Sequence, residues 1–201
     1  MGRSRTSQNG LSLFHCPEDL DSQRLRWMIA EKGIEAMHLI AVEAGDQNED
    51  LLVLNARHDL PTLVERNLVV AGIDIIAEYL DERYPFPPMM PSDPAGRARL
   101  RMTARILRDD LEDPLEGGAS KKTIAAALVG FDSLLGQRKF LLGTSLSLAD
   151  IYLMPMLWRL KTYAYSWPAS CATLRAYAQR MSQRPAFQTS LTRAERALGA
   201  V

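Results

Sequence analysis

The sequence predicts two joined units, an open α/β sheet domain followed by an all-helical domain. Extended and helical hydrophobic patterns alternate in the first half of the 201 residues, whereas the second half shows only helical spacing. Five prolines in the eleven positions from Tyr84 to Pro94 separate the halves, and a segment so rich in proline forms neither a helix nor a central strand. The charge changes at the same place, because residues 1–92 carry a net charge of −7 and residues 93–201 a net charge of +7.

We therefore expect disordered residues 1–10, a thioredoxin-like domain over 11–84, a proline-rich linker over 85–94 and an all-helical domain over 95–201. No apolar run is long enough to cross a bilayer, and the polar N-terminus lacks the apolar centre of a signal peptide. These features predict a cytoplasmic protein without a membrane partner. With 24 basic and 24 acidic residues, the chain has no general attraction for nucleic acid. Its two cysteines make no disulfide framework.

The first half begins with an alternating segment, Leu11–His15, that predicts a strand. A helix is then expected from Ser22, with the Ser22 hydroxyl as its N-terminal cap and Gly33 at its C-terminal cap. One face of this helix carries the apolar side chains of Leu25, Met28 and Ile29.

The remaining elements of the first half complete the order βαβ(α)ββα, which is typical of an open sheet with helices on its faces. They are a strand at Met37–Val42, a short helix at Asp50–Leu54, a hairpin of Pro61–Glu65 and Leu68–Ala71 that turns at Arg66-Asn67, and a helix carrying Ile73, Ile76, Ala77 and Leu80. Asn67 is expected to provide the unusual backbone conformation of the turn.

The second half predicts five helices. The first carries Leu100, Ala104, Leu107 and Leu111, the second runs from about Ile124 to Leu135, the third starts at Ser147, and the last two cover about Cys171–Ser182 and Ala186–Leu198. Ser147-Leu-Ala-Asp150 resembles a capping box with Asp in place of the usual Glu. A bend is expected near Pro155.

Several segments carry a family resemblance. They are Ala30-Glu-Lys-Gly33, Pro61-Thr-Leu-Val-Glu-Arg66, Glu78-Tyr-Leu-Asp-Glu-Arg-Tyr-Pro85, Pro87-Pro-Met-Met-Pro91, Ser147-Leu-Ala-Asp150 and Leu157-Trp-Arg-Leu160. Together they resemble the stringent starvation protein A family, whose members have a glutathione S-transferase-like fold. The resemblance implies a non-enzymatic transcription regulator that associates with RNA polymerase holoenzyme or its sigma factor and forms a homodimer. The alternative is a glutathione S-transferase or a glutathione-dependent thiol reductase, because the fold supports both activities.

The resemblance also locates a vestigial ligand site. In glutathione-binding relatives, a Glu-Ser pair opens the last helix of the thioredoxin-like domain and holds the γ-glutamyl end of the peptide. The matching residues here are Gly72 and Ile73. They offer no side-chain donor or acceptor, so glutathione is disfavoured as a cofactor. Pro61 matches the cis-proline of the fold, and a cis bond there would turn the backbone of Leu60 toward a ligand.

Cys16 is the thiol nearest to that site in the expected fold. Cys16-Pro17 resembles a glutaredoxin motif, and a thiolate at a helix N-terminus would be activated. Three acidic side chains within the next five residues oppose the formation of a thiolate, and Ser22 is better placed at the helix start. We therefore expect an inert thiol and no catalytic residue. The three histidines are too scattered to predict a metal site.

The linker is the first candidate partner-binding segment, through Tyr84, Pro85, Phe86, Pro87 and Pro88. Proline reduces the conformational entropy that a segment loses on docking. We expect Tyr84 and Met89 to pack against the domains and Phe86 to be exposed. In the family, the matching Pro-His-Pro segment helps to form a surface pocket needed for transcription activation, and here a phenyl group replaces the imidazole.

An arginine stripe, Arg97, Arg101, Arg105 and Arg108, is the second candidate, because these residues share one helix face. Such a row is usually a solvated surface. Pairing with an acidic protein surface is favoured over direct, sequence-specific nucleic-acid binding, because the chain lacks the basic excess of dedicated nucleic-acid-binding domains. The resemblance implies a dimer in which the sheet domain of one subunit faces the helical domain of the other. The charge split would make that contact complementary.

Overall fold

The computed structural model describes residues 10–198, so the expected disorder over residues 1–10 concerns a segment that, apart from Gly10, lies outside the described residues. The first half contains β1 (Leu11–His15), α1 (Leu20–Lys32), β2 (Met37–Ala41), α2 (Glu49–Leu54), β3 (Thr62–Glu65), β4 (Leu68–Ala71) and α3 (Ile73–Arg83). The predicted order βαβ(α)ββα is therefore correct.

The four strands form one mixed sheet in the order β2-β1-β3-β4. β1 is parallel to β2, and the pairs β1–β3 and β3–β4 are antiparallel. Leu13, at the centre of β1, lies opposite Leu39 on one side and Leu63 on the other. Every residue of β1 is buried, as expected for a central strand with elements packed on both faces.

Two details of the first half differ from the sequence predictions. The N-terminal cap of α1 is Asp19 rather than Ser22, because the Asp19 carboxylate accepts from the Ser22 backbone N–H at 2.7 Å. In the β3–β4 hairpin, the residue with a positive φ is Arg66, at 55°, rather than Asn67. The cap at Gly33 is confirmed, since Gly33 has a left-handed backbone with a φ of 61°.

The second half is helical throughout its described residues, apart from its connecting loops. It contains α4 (Pro94–Leu107), a π-helical turn (Arg108–Glu112), α5 (Asp113–Glu116), α6 (Lys121–Leu135), α7 (Leu148–Arg159), a 3-10 turn (Leu160–Tyr163), α8 (Ala172–Ser182), α9 (Pro185–Ser190) and α10 (Arg193–Ala197). None of the helices within residues 10–198 is long and apolar enough to cross a bilayer.

Two predicted helices of this half are interrupted. The π-helical turn separates α4 from α5 and contains Leu111, which the sequence places in the first helix. Pro114 follows this turn, and proline lacks the N–H that a regular helix would need at that position. The last predicted helix is divided between α9 and α10, because Leu191 is extended and Thr192 caps a new helix start.

Helix α1 lies at the junction of the two halves. The sequence predicts one buried face, but α1 is buried on almost all sides. Trp27 contacts Phe187 of α9 edge-on, with ring centroids 5.2 Å apart, and Phe187 contacts Trp158 of α7 at 5.5 Å. The two halves therefore share one hydrophobic core, which runs from β1 through α1 to α7 and α9.

Asp150, near the start of α7, is the centre of a buried hydrogen-bond network. Its carboxylate accepts from the Leu141 backbone N–H at 2.8 Å, the Ser147 backbone N–H at 2.9 Å, the Ser147 hydroxyl at 2.8 Å and the Tyr177 hydroxyl at 2.8 Å. The carboxylate thus joins α7 to α8 and to the loop before α7. The predicted pairing of Ser147 with Asp150 is confirmed.

This network predicts a graded loss of stability. Asp150→Ala leaves several buried donors without an acceptor, and we expect the free energy of unfolding to fall by about 3–5 kcal/mol. Ser147→Ala removes one capping contact and should cost about 1 kcal/mol. Urea unfolding at neutral pH measures both values. Equal effects for the two variants would contradict a central role for the Asp150 carboxylate.

Candidate functional site

The linker between α3 and α4 is buried on its flanks and exposed at its centre. Phe86 is 81% exposed, whereas Met89 is 2% exposed and Tyr84 is half-buried against the core. The expected exposure of Phe86 and packing of Tyr84 and Met89 are confirmed. Pro85, Pro87 and Pro88 are exposed beside the phenyl ring, and the Phe86–Pro87 peptide bond is cis. The segment presents an aromatic ring at the surface.

A groove of ≈ 420 Å³ runs along the linker and the loop before α7. Pro88 and Met89 line one side, and Thr144 and Ser145 line the other. The groove ends at the start of α7, where the Leu148 N–H donates to the Met89 carbonyl at 3.0 Å. Sequence reasoning missed this surface, because residues 142–146, which line it before the Ser147 capping box, carry no motif of their own.

The arginine stripe of α4 faces acidic residues of α3 in the same chain. The pairs are Arg97–Glu82 (3.8 Å), Arg101–Glu78 (2.6 Å) and Arg108–Asp74 (3.2 Å), while Arg105 pairs with Asp109 farther along its own segment (3.1 Å). The Arg101 hydrogen bonds hold the pKa of Glu78 below its usual value. Along α3 these acidic residues occur in the opposite order to their arginine partners. Part of the charge difference between the two halves is therefore paired within one chain. Exposed ion pairs of this kind contribute little to stability. Breaking them costs the fold little.

The vestigial ligand residues lie at one end of the sheet, because Phe14 is opposite Thr62 and Thr62 is opposite Ala71. Cys16 is 9% exposed, lies in the loop before α1, and donates its N–H to the Ser22 hydroxyl at 3.1 Å. The Leu60–Pro61 bond is cis, as the resemblance implies. Ser22 thus holds the Cys16 loop rather than capping the helix.

At the start of α3, the backbone of Gly72 and the side chain of Ile73 suit a packed helix end. Gly72 has a φ of 93°, which residues other than glycine rarely adopt, so a glutamate at this position would be strained. Ile73 is 4% exposed. It lines a cavity of only ≈ 10 Å³ together with Arg24, Arg108 and Glu112, which is room for about one water molecule at most.

Arg24 of α1 fills the space beside Ile73 with a network that sequence reasoning missed. Its guanidinium binds both carboxylate oxygens of Glu112, at 2.8 and 3.2 Å, and donates to Asp21 at 2.7 Å and to the Tyr152 carbonyl at 3.0 Å. Arg24 is 2% exposed. These contacts cross between the two halves and tie them together next to the start of α3, while a cavity of ≈ 470 Å³ lined by Asp74, Arg101 and Tyr152 stays open beside them.

A second buried network holds the end of β1. His15 Nδ1 lies 3.1 Å from Arg26 Nη1, and the Glu195 carboxylate pairs with Arg26 at 2.5 Å and with Arg159 at 2.8 Å. Burial, with the nearby Arg26 charge, lowers the pKa of His15 from 6.5 to about 4. The imidazole is therefore neutral at pH 7 and accepts the arginine hydrogen bond. Within residues 10–198, no three histidine, cysteine or carboxylate side chains cluster as a metal site would require.

Comparison with known proteins identifies both halves. The family model "Glutathione S-transferase, N-terminal domain" matches residues 22–83, and "Glutathione S-transferase, C-terminal domain" matches residues 94–180. The chain is 31% identical over 195 residues to the stringent starvation protein A homolog of Coxiella burnetii, covering 92% of this chain and 93% of that one. The homolog from Haemophilus ducreyi is 32% identical over 199 residues, covering 94% and 92%.

More distant similarities reach enzymes of the same fold. The maleylacetoacetate isomerase of Pseudomonas aeruginosa is 26% identical over 89% of this chain and 94% of its own length. The crystal structure of glutathione transferase Omega 3C from Trametes versicolor superposes with a TM-score of 0.83 at 18% identity, covering 92% of this chain and 85% of that one. The transferase-like fold predicted from the sequence is therefore confirmed.

The buried His15 predicts a pH dependence of stability. Because the pKa of His15 falls on folding, the unfolded chain binds a proton between pH 6.5 and about 4 that the folded chain does not bind. The stabilisation is complete above pH 6.5 and decreases as the pH falls toward 4, by at most about 3 kcal/mol. In His15→Gln, the drop in unfolding free energy between pH 7 and about pH 4.5 should be smaller by about 2 kcal/mol. Urea unfolding at both pH values tests this, and identical drops in both proteins would contradict it.

Proposed function

The chain belongs to the stringent starvation protein A family, and on that premise we propose that it is a non-enzymatic transcription regulator of starvation and stress responses. We propose that it associates in the cytoplasm with RNA polymerase holoenzyme, through the core enzyme or the sigma factor. The observation that carries this proposal is the exposed Phe86 ring on a proline-rich segment with buried flanks. An exposed aromatic ring on an ordered segment is the kind of anchor that protein interfaces use.

The geometry beside α3 supports a non-enzymatic role. The positive φ of Gly72 and the burial of Ile73 suit a packed helix start. The Arg24–Glu112 pair fills the space beside Ile73 with a charge-assisted contact, and separating a buried pair of this kind is strongly unfavourable.

A glutathione-dependent transferase or thiol reductase is the second candidate function. One observation favours it, the similarity to maleylacetoacetate isomerase. Retention of the purified protein on immobilised glutathione, together with conjugating activity toward an electrophile, would support this candidate over the regulator.

We also propose a homodimer, in which a second copy covers the face formed by α3, α4 and α6. Ile75, Met102, Ile106 and Val129 on these helices are 59%, 57%, 39% and 39% exposed. Ile106 also lines a groove of ≈ 490 Å³ between α4 and α6. The opposite net charges of the two halves would also favour this contact between copies. Three of the stripe arginines already have carboxylate partners on α3 of the same chain.

The polymerase proposal predicts a loss of capture without a loss of stability. Phe86→Ala should reduce capture of purified RNA polymerase holoenzyme about tenfold, because a buried aromatic anchor contributes 1.4 kcal/mol or more. The melting temperature should change little, since the ring is exposed in the free protein. Arg105→Glu provides a second surface variant with an 82% exposed side chain and should weaken capture less. Equal capture by the wild type and Phe86→Ala would contradict the linker as the binding surface.

The dimer proposal predicts a monomeric double variant. Met102→Glu with Ile106→Glu places two charges in the apolar face and should raise the dimer dissociation constant at least about tenfold. Sedimentation velocity at micromolar concentration measures the association state, and Phe86→Ala is the control that should remain dimeric. A wild-type protein that sediments as a monomer, or a double variant that still dimerises, would refute this assignment.

A further inference from the structure

A buried ion pair between α1 and α3 contacts the linker on both sides of Phe86. Lys32, in the last turn of α1, pairs with Asp81 of α3, with 2.7 Å between Nζ and Oδ1. The same ammonium group donates to the Tyr84 carbonyl at 2.7 Å and to the Pro87 carbonyl at 2.8 Å. The two carbonyls bracket Pro85 and Phe86, so one ammonium group fixes the start and the end of the exposed loop.

Asp81 holds the segment that follows. Its Oδ1 accepts from the Met89 N–H at 2.8 Å, and its Oδ2 accepts from the Met90 N–H at 3.0 Å. The prolines at 85, 87 and 88 have no N–H to donate. The linker cannot therefore hold itself by a regular backbone ladder, and the ion pair supplies the contacts that a helix or strand would otherwise provide.

The cost of burying this pair indicates a positional role. The Lys32 side chain has no solvent exposure, and that of Asp81 is 8% exposed. Removing two charges from water is expensive, and apolar residues of similar size often stabilise a fold equally well. What apolar residues could not supply is the set of charge-assisted hydrogen bonds to the carbonyls and N–H groups around Phe86.

We propose that Lys32 and Asp81 are positioning residues that present the Phe86 ring to an apolar recess on a protein partner. This inference rests on the proposed function, in which that partner is RNA polymerase holoenzyme. A ring held in its binding position loses less conformational entropy on docking than a ring on a mobile loop. The pair touches the partner nowhere and acts through the backbone of residues 84–90.

The test combines Lys32→Met with Asp81→Leu, which removes both charges together and leaves no unpaired ion. Hydrogen exchange is followed at the Met89 and Met90 amides, whose N–H groups donate to Asp81, and capture of purified RNA polymerase holoenzyme is measured in parallel. We expect exchange at these amides to be at least about tenfold faster and capture to fall about fivefold or more. Glu31→Gln with Arg184→Gln is the matched control, because it removes another ion pair of α1 that does not contact the linker.

A second control, Leu128→Ala, lowers stability from a buried site in α6 and separates positioning from general destabilisation. It should leave capture unchanged at a temperature where both proteins are folded. Unchanged hydrogen exchange in the Lys32/Asp81 variant overturns the inference. The inference is also overturned if exchange in this variant becomes faster but its capture stays at the wild-type level, while Phe86→Ala loses capture. Equal capture by the wild type and Phe86→Ala overturns the linker as the binding surface and the inference with it, whereas no capture by the wild type overturns the proposed function itself.

Discussion

The burial of α1 between the two halves is the constraint on which the rest of the structure depends. Its apolar side chains complete one core with the sheet and with α7 and α9, while its three basic side chains are also buried. Arg24, Arg26 and Lys32 each reach a carboxylate on another element. Because breaking any of these pairs would leave a buried charge, the sheet, the helical half and the linker are held in one arrangement.

The same constraint decides what the interdomain region is able to bind. Arg24 and Ile73 fill the space at the start of α3, and an open cavity of ≈ 470 Å³ remains beside it, lined by Asp74, Arg101 and Tyr152. The linker emerges on the surface with its aromatic ring outward.

Local sequence patterns predicted the order of elements, the caps at Gly33 and Ser147, and the exposure of Phe86, because each depends on neighbouring residues. The pattern of α1 predicts one buried face with Leu25, Met28 and Ile29. The structure also buries Arg24 and Arg26, whose partners Glu112 and Glu195 lie 88 and 169 residues away in the sequence. Such pairings follow from tertiary contacts that periodicity does not contain. The π-helical turn before Pro114 and the division of the last helix likewise depend on backbone hydrogen bonding that hydrophobic spacing alone does not reveal.

The Phe86 ring is exposed in the free protein, so the part that it has in partner recognition under the proposed function does not depend on a part in folding. A side chain that packs against nothing in the free protein is able to change without a cost in stability, provided that the flanking prolines and their buried anchors remain. Under the proposed function, another side chain in place of the phenyl ring would alter partner recognition and leave the scaffold intact.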